Sequence, residues 1–348
     1  KNAVVRARLF DVLINDWDRH DDQWRWAGIE QNDKTIYKPI PRDRDQAFFL
    51  NEGILPWISA RKWLLPKIQG FDEMTENMDG QSFNARYFDR TFLTNCSWSD
   101  WLSQIDTLKI LLGNGKIDSA MLAFPPEVYS ICGQETGQIL KSRLDNLETM
   151  ARKLYLSLAK EVNIFGTNNK DFFEIIYGNE NLRMRGYKLL NNGEKGDCFF
   201  DRKFINNETK IINLYGLHGN DRFEKHGFSS GNIKLKIIGG EDNDEVVGFN
   251  LSAKEGVTLY DKKSTTVSKG TQRRLKNKFD KELLEYDREN FEYDIVYPGI
   301  YSGFNPDDGI YIGGAPIFTK YSRYQKRRYE ILGNYALATH SYNLRFNA

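Results

Sequence analysis

The spacing of apolar residues changes once along this chain, near residue 165, and that change limits the folds open to it. Before it, apolar residues recur three, four and seven apart, as on one face of a helix. After it they alternate in short runs separated by Gly, Asn and Asp, as in strands joined by turns. The pattern predicts an α+β multidomain chain. An α-rich domain is expected over 1–165, a β-rich domain over 166–270, a charged linker over 271–296 and a further set of strands over 297–348.

In the first region, Val4, Val5, Leu9, Val12 and Leu13 predict a helix from Ala3 to Ile14. Ser97 or Ser99 caps a second helix running through Leu112. After the break at Pro125-Pro126, the spacing of Ile139, Leu140, Leu144, Leu147, Leu154, Leu158 and Val162 predicts one long helix from Gly133 to Val162. Thr35 to Ile40 alternates like a short strand, and Pro39 and Pro41 keep it at an edge or end it.

Two acidic loops flank that strand: Asp16-Trp17-Asp18-Arg19-His20-Asp21-Asp22-Gln23 and Pro41-Arg42-Asp43-Arg44-Asp45. Carboxylates crowded in this way repel one another unless a cation, a basic partner or solvent balances them. Two readings follow. In one, an Asp orients an attacking hydroxyl, a downstream amide holds metal and an Asp of the second loop holds Mg²⁺. In the other, Arg19, Arg25, Arg42 and Arg44 pair with the carboxylates in a buried structural network. Trp17, Trp24 and Trp26 are expected to be core or interface aromatics.

The second region contains strands at Phe172–Tyr177, Leu182–Tyr187, Ile211–Tyr215 and Ile233–Ile238. It also contains a degenerate repeat, in which Gly216 to Phe223 aligns with Gly239 to Val246. Each copy resembles the Gly- and Asp-rich turn of calcium-binding β-rolls, which makes Asp221 and Asp244 candidate Ca²⁺ ligands. The alternative is that these Asn/Asp-Gly turns only shape a β-sandwich or a short β-solenoid.

Beyond the charged stretch Lys269 to Arg288, the segments Ile310–Phe318, Tyr329–Ala338 and Ser341–Phe346 alternate and are rich in aromatics. Their length fits transmembrane β-strands or, equally, a soluble antiparallel meander. Lys326-Arg327-Arg328 is expected in a turn between strands, facing solvent or lipid headgroups.

Basic and acidic residues number 49 and 48, so global charge gives no pull towards nucleic acid, and no nucleic-acid partner is expected. Cys96, Cys132 and Cys198 are far apart and form neither a zinc motif nor a disulfide framework. No apolar run reaches the length of about 20 residues that a transmembrane helix needs. The chain opens at Lys1 within a pattern, without a secretion signal, and the last alternation stops without a turn. Both ends are expected to be cut from a longer protein.

Two blocks, taken together, resemble a known family. Gly303-Phe304-Asn305-Pro306-Asp307-Asp308-Gly309-Ile310-Tyr311-Ile312-Gly313-Gly314, followed by Gly333-Asn334-Tyr335-Ala336 and Tyr342 to Phe346, resembles the entry to the barrel of BamA/TamA-superfamily outer-membrane proteins. With the Asp-Trp-Asp-Arg-His and Pro-Arg-Asp-Arg-Asp-Gln motifs ahead of it, the chain resembles a Bacteroidota group of that superfamily. The resemblance implies a periplasmic region, the first strands of an outer-membrane barrel, contact with outer-membrane lipid, and client or assembly-partner proteins. A phosphoesterase domain often lies further upstream in that group.

The acidic loops resemble, at greater distance, those of atypical kinases of the HipA-like, CotH-like and secretory-pathway groups. That likeness implies a kinase-C-lobe-like domain with Asp18 as the catalytic Asp and Arg19 and His20 structuring the loop. Gln23 stands where those kinases have a metal-binding Asn, and Asp43, or else Asp45, would hold Mg²⁺. ATP, or another phosphorylated donor, would be the cofactor of an active phosphotransferase. A degenerate, non-catalytic scaffold is the other outcome.

Overall fold

The computed structural model describes the chain except residues 32–33, 55–59, 62–65, 229–231, 241, 250–255, 261–265, 268–285 and 323–324. It is a mixed α/β structure with a helical unit and three β-sheets beyond it. Residues 271–285 of the expected linker lie outside the described residues.

Helix α1 (Asn2–Leu13) buries Val4, Val5, Leu9, Val12 and Leu13, the positions its periodicity marked. It is followed by the antiparallel hairpin β1 (Trp24–Gln31) and β2 (Lys34–Pro41). Trp24 stacks on Phe88 with ring centroids 4.1 Å apart, and Trp26 packs on Phe92, which ties the hairpin to the helices. Two short helices, α2 (Met78–Gln81) and α3 (Arg86–Phe92), precede the long helix α4 (Trp98–Leu112). Ser97 caps α4: its side chain accepts from Asp100 N while the Asp100 carboxylate accepts from Ser97 N, a reciprocal capping box. Trp101, Ile105 and Leu108 of α4 join α1 in one core.

The single helix expected over Gly133–Val162 is instead two helices and the start of a strand. After α5 (Lys116–Met121), α6 (Gln134–Asp145) ends at Asn146 and α7 (Leu147–Ala159) restarts there. Val162 belongs to β3 (Glu161–Phe165). Its four-residue spacing from Leu158 continues the helical pattern. Yet Val162 and Ile164 alternate into a second core, where they meet Ile212 and Leu214 in parallel register.

That second core lies in a short β-solenoid, one of the two alternatives the turns left open. One parallel sheet runs β3, β7 (Ile211–Leu217), β9 (Lys234–Gly240) and β11 (Val257–Tyr260). The other stacks β4 (Asp171–Tyr177), β8 (Arg222–His226), β10 (Glu245–Val247) and β12 (Thr266–Val267), also in parallel. Ladders of like residues fill the space between them: Ile212, Leu235 and Val257 on one side, Phe173, Phe223 and Val246 on the other. Phe173 and Phe223 stack with their planes 5° apart. The antiparallel pair β5 (Asn181–Leu189) and β6 (Lys195–Ile205) extends the second sheet beyond β4.

Residues 286–294 cross from the solenoid to the helical unit as a strap. Tyr286 packs on Phe165 and Tyr215, Arg288 bonds Asp21 and Thr91, and Glu292 accepts from Arg86 and Tyr87. The strap leads into an open antiparallel sheet of β13 (Ile295–Asn305), β14 (Gly309–Ser322), β15 (Gln325–Ala336) and β16 (Tyr342–Asn347). Lys326, Arg327 and Arg328, expected in a turn, lie within β15 instead.

Candidate functional site

The acidic loop begins where α1 ends, and a buried arginine fixes that end. Arg143 of α6 donates to the carbonyls of Val12 (2.6 Å), Leu13 (2.7 Å) and Asp72 (2.5 Å). The Val12 and Leu13 carbonyls end α1 and carry partial negative charge, so a cation there is favourable. Burial lowers the Arg143 pKa to about 10, which leaves it charged at neutral pH. Asn15 then turns the chain through a left-handed conformation (φ 58°).

Behind the loop lies a network of buried charges centred on Asp11. Its carboxylate accepts from Arg19 Nε (3.1 Å), Arg44 Nε (3.0 Å) and Arg8 Nη1 (3.3 Å). Arg8 also makes a two-pronged contact with Asp89 at 2.7 and 3.0 Å. Burial disfavours the charge on Arg8, but Asp89 and Asp11 more than offset this and raise its pKa. Asp16 is 1% exposed, and its Oδ2 has no hydrogen-bond partner, although Arg19 Nε lies 3.6 Å away. Burial, and then the neighbouring charge of Asp11, push the Asp16 pKa up to about 6 against the pull of Arg19.

Arg19 fastens the two acidic loops together. Its Nη1 donates to Gln23 Oε1 (2.7 Å), to the Asp43 carbonyl (2.6 Å) and to the Arg42 carbonyl. The guanidinium also lies 5.2 Å from the Trp24 ring centroid. A fully buried cation can reach this many oxygens because α1, the hairpin and the loop after β2 all end at the same place. Of the arginines expected to pair with the loop carboxylates, Arg19 reaches Asp16 at 3.6 Å, while Arg19 and Arg44 bond Asp11 of α1, outside the loops. Arg25, by contrast, bonds the carbonyls of Asp22 and Trp24.

His20, Asp22, Gln23, Arg25, Arg42 and Asp43 line an open cleft of about 440 Å³ on the outer side of this network. Three expected site residues, His20, Gln23 and Asp43, thus share one cleft. Asp43 is exposed and held in a left-handed turn (φ 54°). The His20 side chain is 43% exposed and its Nδ1 lies 4.0 Å from Asp22. Asp18 is half-buried, and its carboxylate accepts from the side-chain amide of Asn84. Asp45 is exposed and accepts from Gln46, away from the cleft walls.

As a Mg²⁺ site, the cleft offers the Asp43 carboxylate and the Gln23 oxygen, and the latter already accepts from Arg19. Among the described residues, no group of three or more His, Cys, Asp or Glu side chains is placed to hold a metal. The arrangement shares the hard oxygen donors of a phosphate-directed site. Its central positive charge, however, comes from the protein's own Arg19.

Asp221 and Asp244 lie elsewhere, in the turns of the solenoid. Asp221 Oδ1 accepts the amide of Asp171, and Asp244 Oδ1 accepts the amide of Asp221, each at 2.8 Å. The carboxyls thus stack coil upon coil, 23 residues apart in the second step, matching the sequence repeat. Burial pushes the Asp221 pKa up to about 9; the Asp171 amide opposes this, and the charges of Asp244 and Asp171 reinforce it.

Sequence reasoning missed Arg8, Asp11, Asn84, Asp89, Arg143 and Arg288. Arg8 and Asp11 stand on an ordinary helical face; Asn84 and Arg288 meet the loop from 66 and 267 residues away, and Asp89 and Arg143 meet α1 from 81 and 130. No local pattern signals such partners. No protein-family model, curated protein or solved structure matches this chain.

Proposed function

We propose that this chain is the periplasmic stem and first barrel strands of a BamA/TamA-like outer-membrane protein, serving the assembly or translocation of an envelope component. Its helical unit would act as a kinase-like scaffold that presents a cleft for binding.

The observation that carries this reading is the two-faced character of the sheet β13–β16. Registers across its four strands place Val296, Pro298, Ile300, Ser302 and Phe304 on one face with Ile310, Ile312, Gly314, Pro316 and Phe318. Tyr329, Ile331, Gly333 and Tyr335, then Tyr342, Leu344 and Phe346, continue the same face. Ile300, Phe304 and Leu344 are 85%, 71% and 81% exposed. Aromatics sit towards its two ends, with Ile300, Gly314, Gly333 and Leu344 in one row between them. The opposite face carries Ile295, Ile317 and Leu332 but is the more polar and is self-bonded: Asn334 donates to Tyr301 Oη, Asn343 to Asn334 Oδ1 and Asn347 to Glu330. A continuous apolar face is costly in water, and an alternation of apolar outside and polar inside is the pattern of a barrel wall in lipid. Strands of 11, 14 and 12 residues reach or exceed the roughly 9–11 that cross a bilayer.

The test is extraction of the complete protein from its host membrane. Release only by detergent, with heat-modifiable migration on gels, supports the reading. A fully soluble monomeric protein contradicts it.

A second reading is a Mg²⁺-dependent phosphotransferase tethered by the barrel. The shared cleft of His20, Gln23 and Asp43 favours it. Calorimetric titration of ATP with Mg²⁺ into the complete protein tests it, with binding lost in Asp43→Ala as the supporting result.

A further inference from the structure

A second cleft, of about 530 Å³, lies between the start of α4 and the antiparallel pair β5–β6. Its volume falls within the roughly 300–1,000 Å³ of small-molecule sites. Arg202 of β6 lines it and is 6% exposed, yet its Nε and Nη1 have no hydrogen-bond partner. Asn95, in the connection between α3 and α4, lines the same cleft, and its buried Oδ1 has none either. Two unused donors and one unused acceptor therefore border one space. Buried polar groups without partners are costly, and a bound group that supplies the partners removes that cost. We propose that this cleft binds a small phosphate ester, with Arg202 donating to the phosphate, Lys203 adding charge at the rim and Asn95 Oδ1 accepting from a P–OH.

The charges around the cleft favour an anion. Its two carboxylates are already engaged. Asp100 accepts from Ser97 N and Oγ, each at 2.7 Å, and Asp201 makes a two-pronged contact with Arg183 at 2.8 and 2.7 Å. Because β6 is the outer strand of its sheet, residues from both of its faces reach the cleft, and Lys203 does so from the exposed one. On the inner side, Tyr155 and Glu208 offset part of the burial of Arg202. Glu208, however, already accepts from Arg152 and from Tyr155 Oη. Two arginines thus share one carboxylate, and an anion balances the remaining charge. A carboxylate or a sulfate accepts from Arg202 but has no proton for Asn95 Oδ1, whereas a phosphate with one P–OH satisfies both. The site shares no lining residue with the cleft of His20 and Asp43, so its failure leaves the proposed function untouched.

The test is calorimetric titration of inorganic phosphate into the complete protein at pH 6, about the second pKa of a phosphate ester. Glycerol 3-phosphate and sulfate are titrated in parallel. Phosphate and the ester should bind, and sulfate should bind at least ten-fold more weakly. Arg202→Met fills the space beside Phe204 and should weaken phosphate binding by roughly ten- to a hundred-fold, the worth of a hydrogen bond to a charged group. Because it also removes two unpartnered donors, its melting temperature without phosphate should not fall. Lys203→Ser, at an exposed position, keeps the fold in either case and should weaken binding several-fold. An absence of phosphate binding, binding unchanged in both variants, or sulfate equal to phosphate overturns the proposal. Asp43→Ala should leave the binding unchanged; its loss there would place the phosphate in the first cleft and also overturn the proposal.

Discussion

Arg19 donates to Gln23 Oε1 at 2.7 Å, and through the same nitrogen it holds the carbonyls of Arg42 and Asp43. One buried guanidinium thereby fixes the distance between two loops that the sequence separates by a whole hairpin. It also supplies positive charge to Asp11 and Asp16, which face away from solvent.

Removing that charge leaves two buried carboxylates without their shared cation. Arg19→Met should destabilise the helical unit by about 3–5 kcal/mol, the cost of breaking a buried ion pair on one side only. Urea denaturation followed by tryptophan fluorescence measures it, since Trp24 lies against Arg19. A loss under about 1 kcal/mol would show that solvent reaches the network.

Asp16 makes stability depend on pH in a defined direction. Folding raises its pKa from 3.8 to about 6, so the folded chain takes up a proton between those values. Its contribution therefore falls as pH rises through that window and is level above it. The full change is about 3 kcal/mol. Asp16→Asn should flatten the slope of unfolding free energy between pH 4 and 6, as measured by denaturant titrations at stepped pH. A slope unchanged in the variant would assign the proton elsewhere.

Asp221 makes stability depend on pH over a wider window. Its pKa of about 9 means that the solenoid holds a proton there at neutral pH, and stability falls as pH rises from about 4 towards 9. Asp221→Asn keeps an oxygen for the Asp171 amide and carries no charge, so it should melt higher than the unaltered protein at pH 8. Asp221→Ala loses the acceptor and should melt lower at pH 5. Calcium binding would reverse the first result: added Ca²⁺ would raise the melting temperature, and Asp221→Asn would abolish the gain.

The cleft separates binding from architecture. Asp43 is exposed, and its carbonyl, not its carboxylate, holds the Arg19 bond. Asp43→Ala should therefore change unfolding free energy by no more than about 1–2 kcal/mol, the cost of alanine in the left-handed turn at φ 54°. Asp18→Ala should cost more, because it strands the Asn84 amide. If Asp43→Ala unfolds the chain, its carboxylate is structural and the phosphotransfer reading fails.

Elements whose partners are local in sequence were legible. The α1 periodicity, the Ser97 cap and the Gly/Asp repeat each map onto the structure, because a helix face, a capping box and a stacked turn are set by neighbours. The helix expected through Val162 was misread because Leu158 and Val162 keep helical spacing although they enter different cores. Whether the Gly/Asp region formed a sandwich or a solenoid depended on strand pairs tens of residues apart, such as Ile212 with Leu235. Of the candidate site, the two acidic loops and the presence of Arg19 beside them could be read; its principal partner, Asp11 on α1, could not. Their anchors could not either, since Asp89 and Arg143 meet α1, and Arg288 meets the loop, only once helices and strap are packed.

Adjacent residues on β16 give the most direct test of the account. Leu344 lies on the apolar face opposite Gly333, and Asn343 lies on the polar face, hydrogen-bonded to Asn334. The measurement is the unfolding free energy of the complete protein in vesicles, for Leu344→Arg and Asn343→Arg. A loss of about 2–4 kcal/mol is expected for Leu344→Arg, the cost of arginine facing lipid near mid-bilayer, and much less for Asn343→Arg. Equal effects at the two positions, or a protein that stays in solution with both, would contradict it.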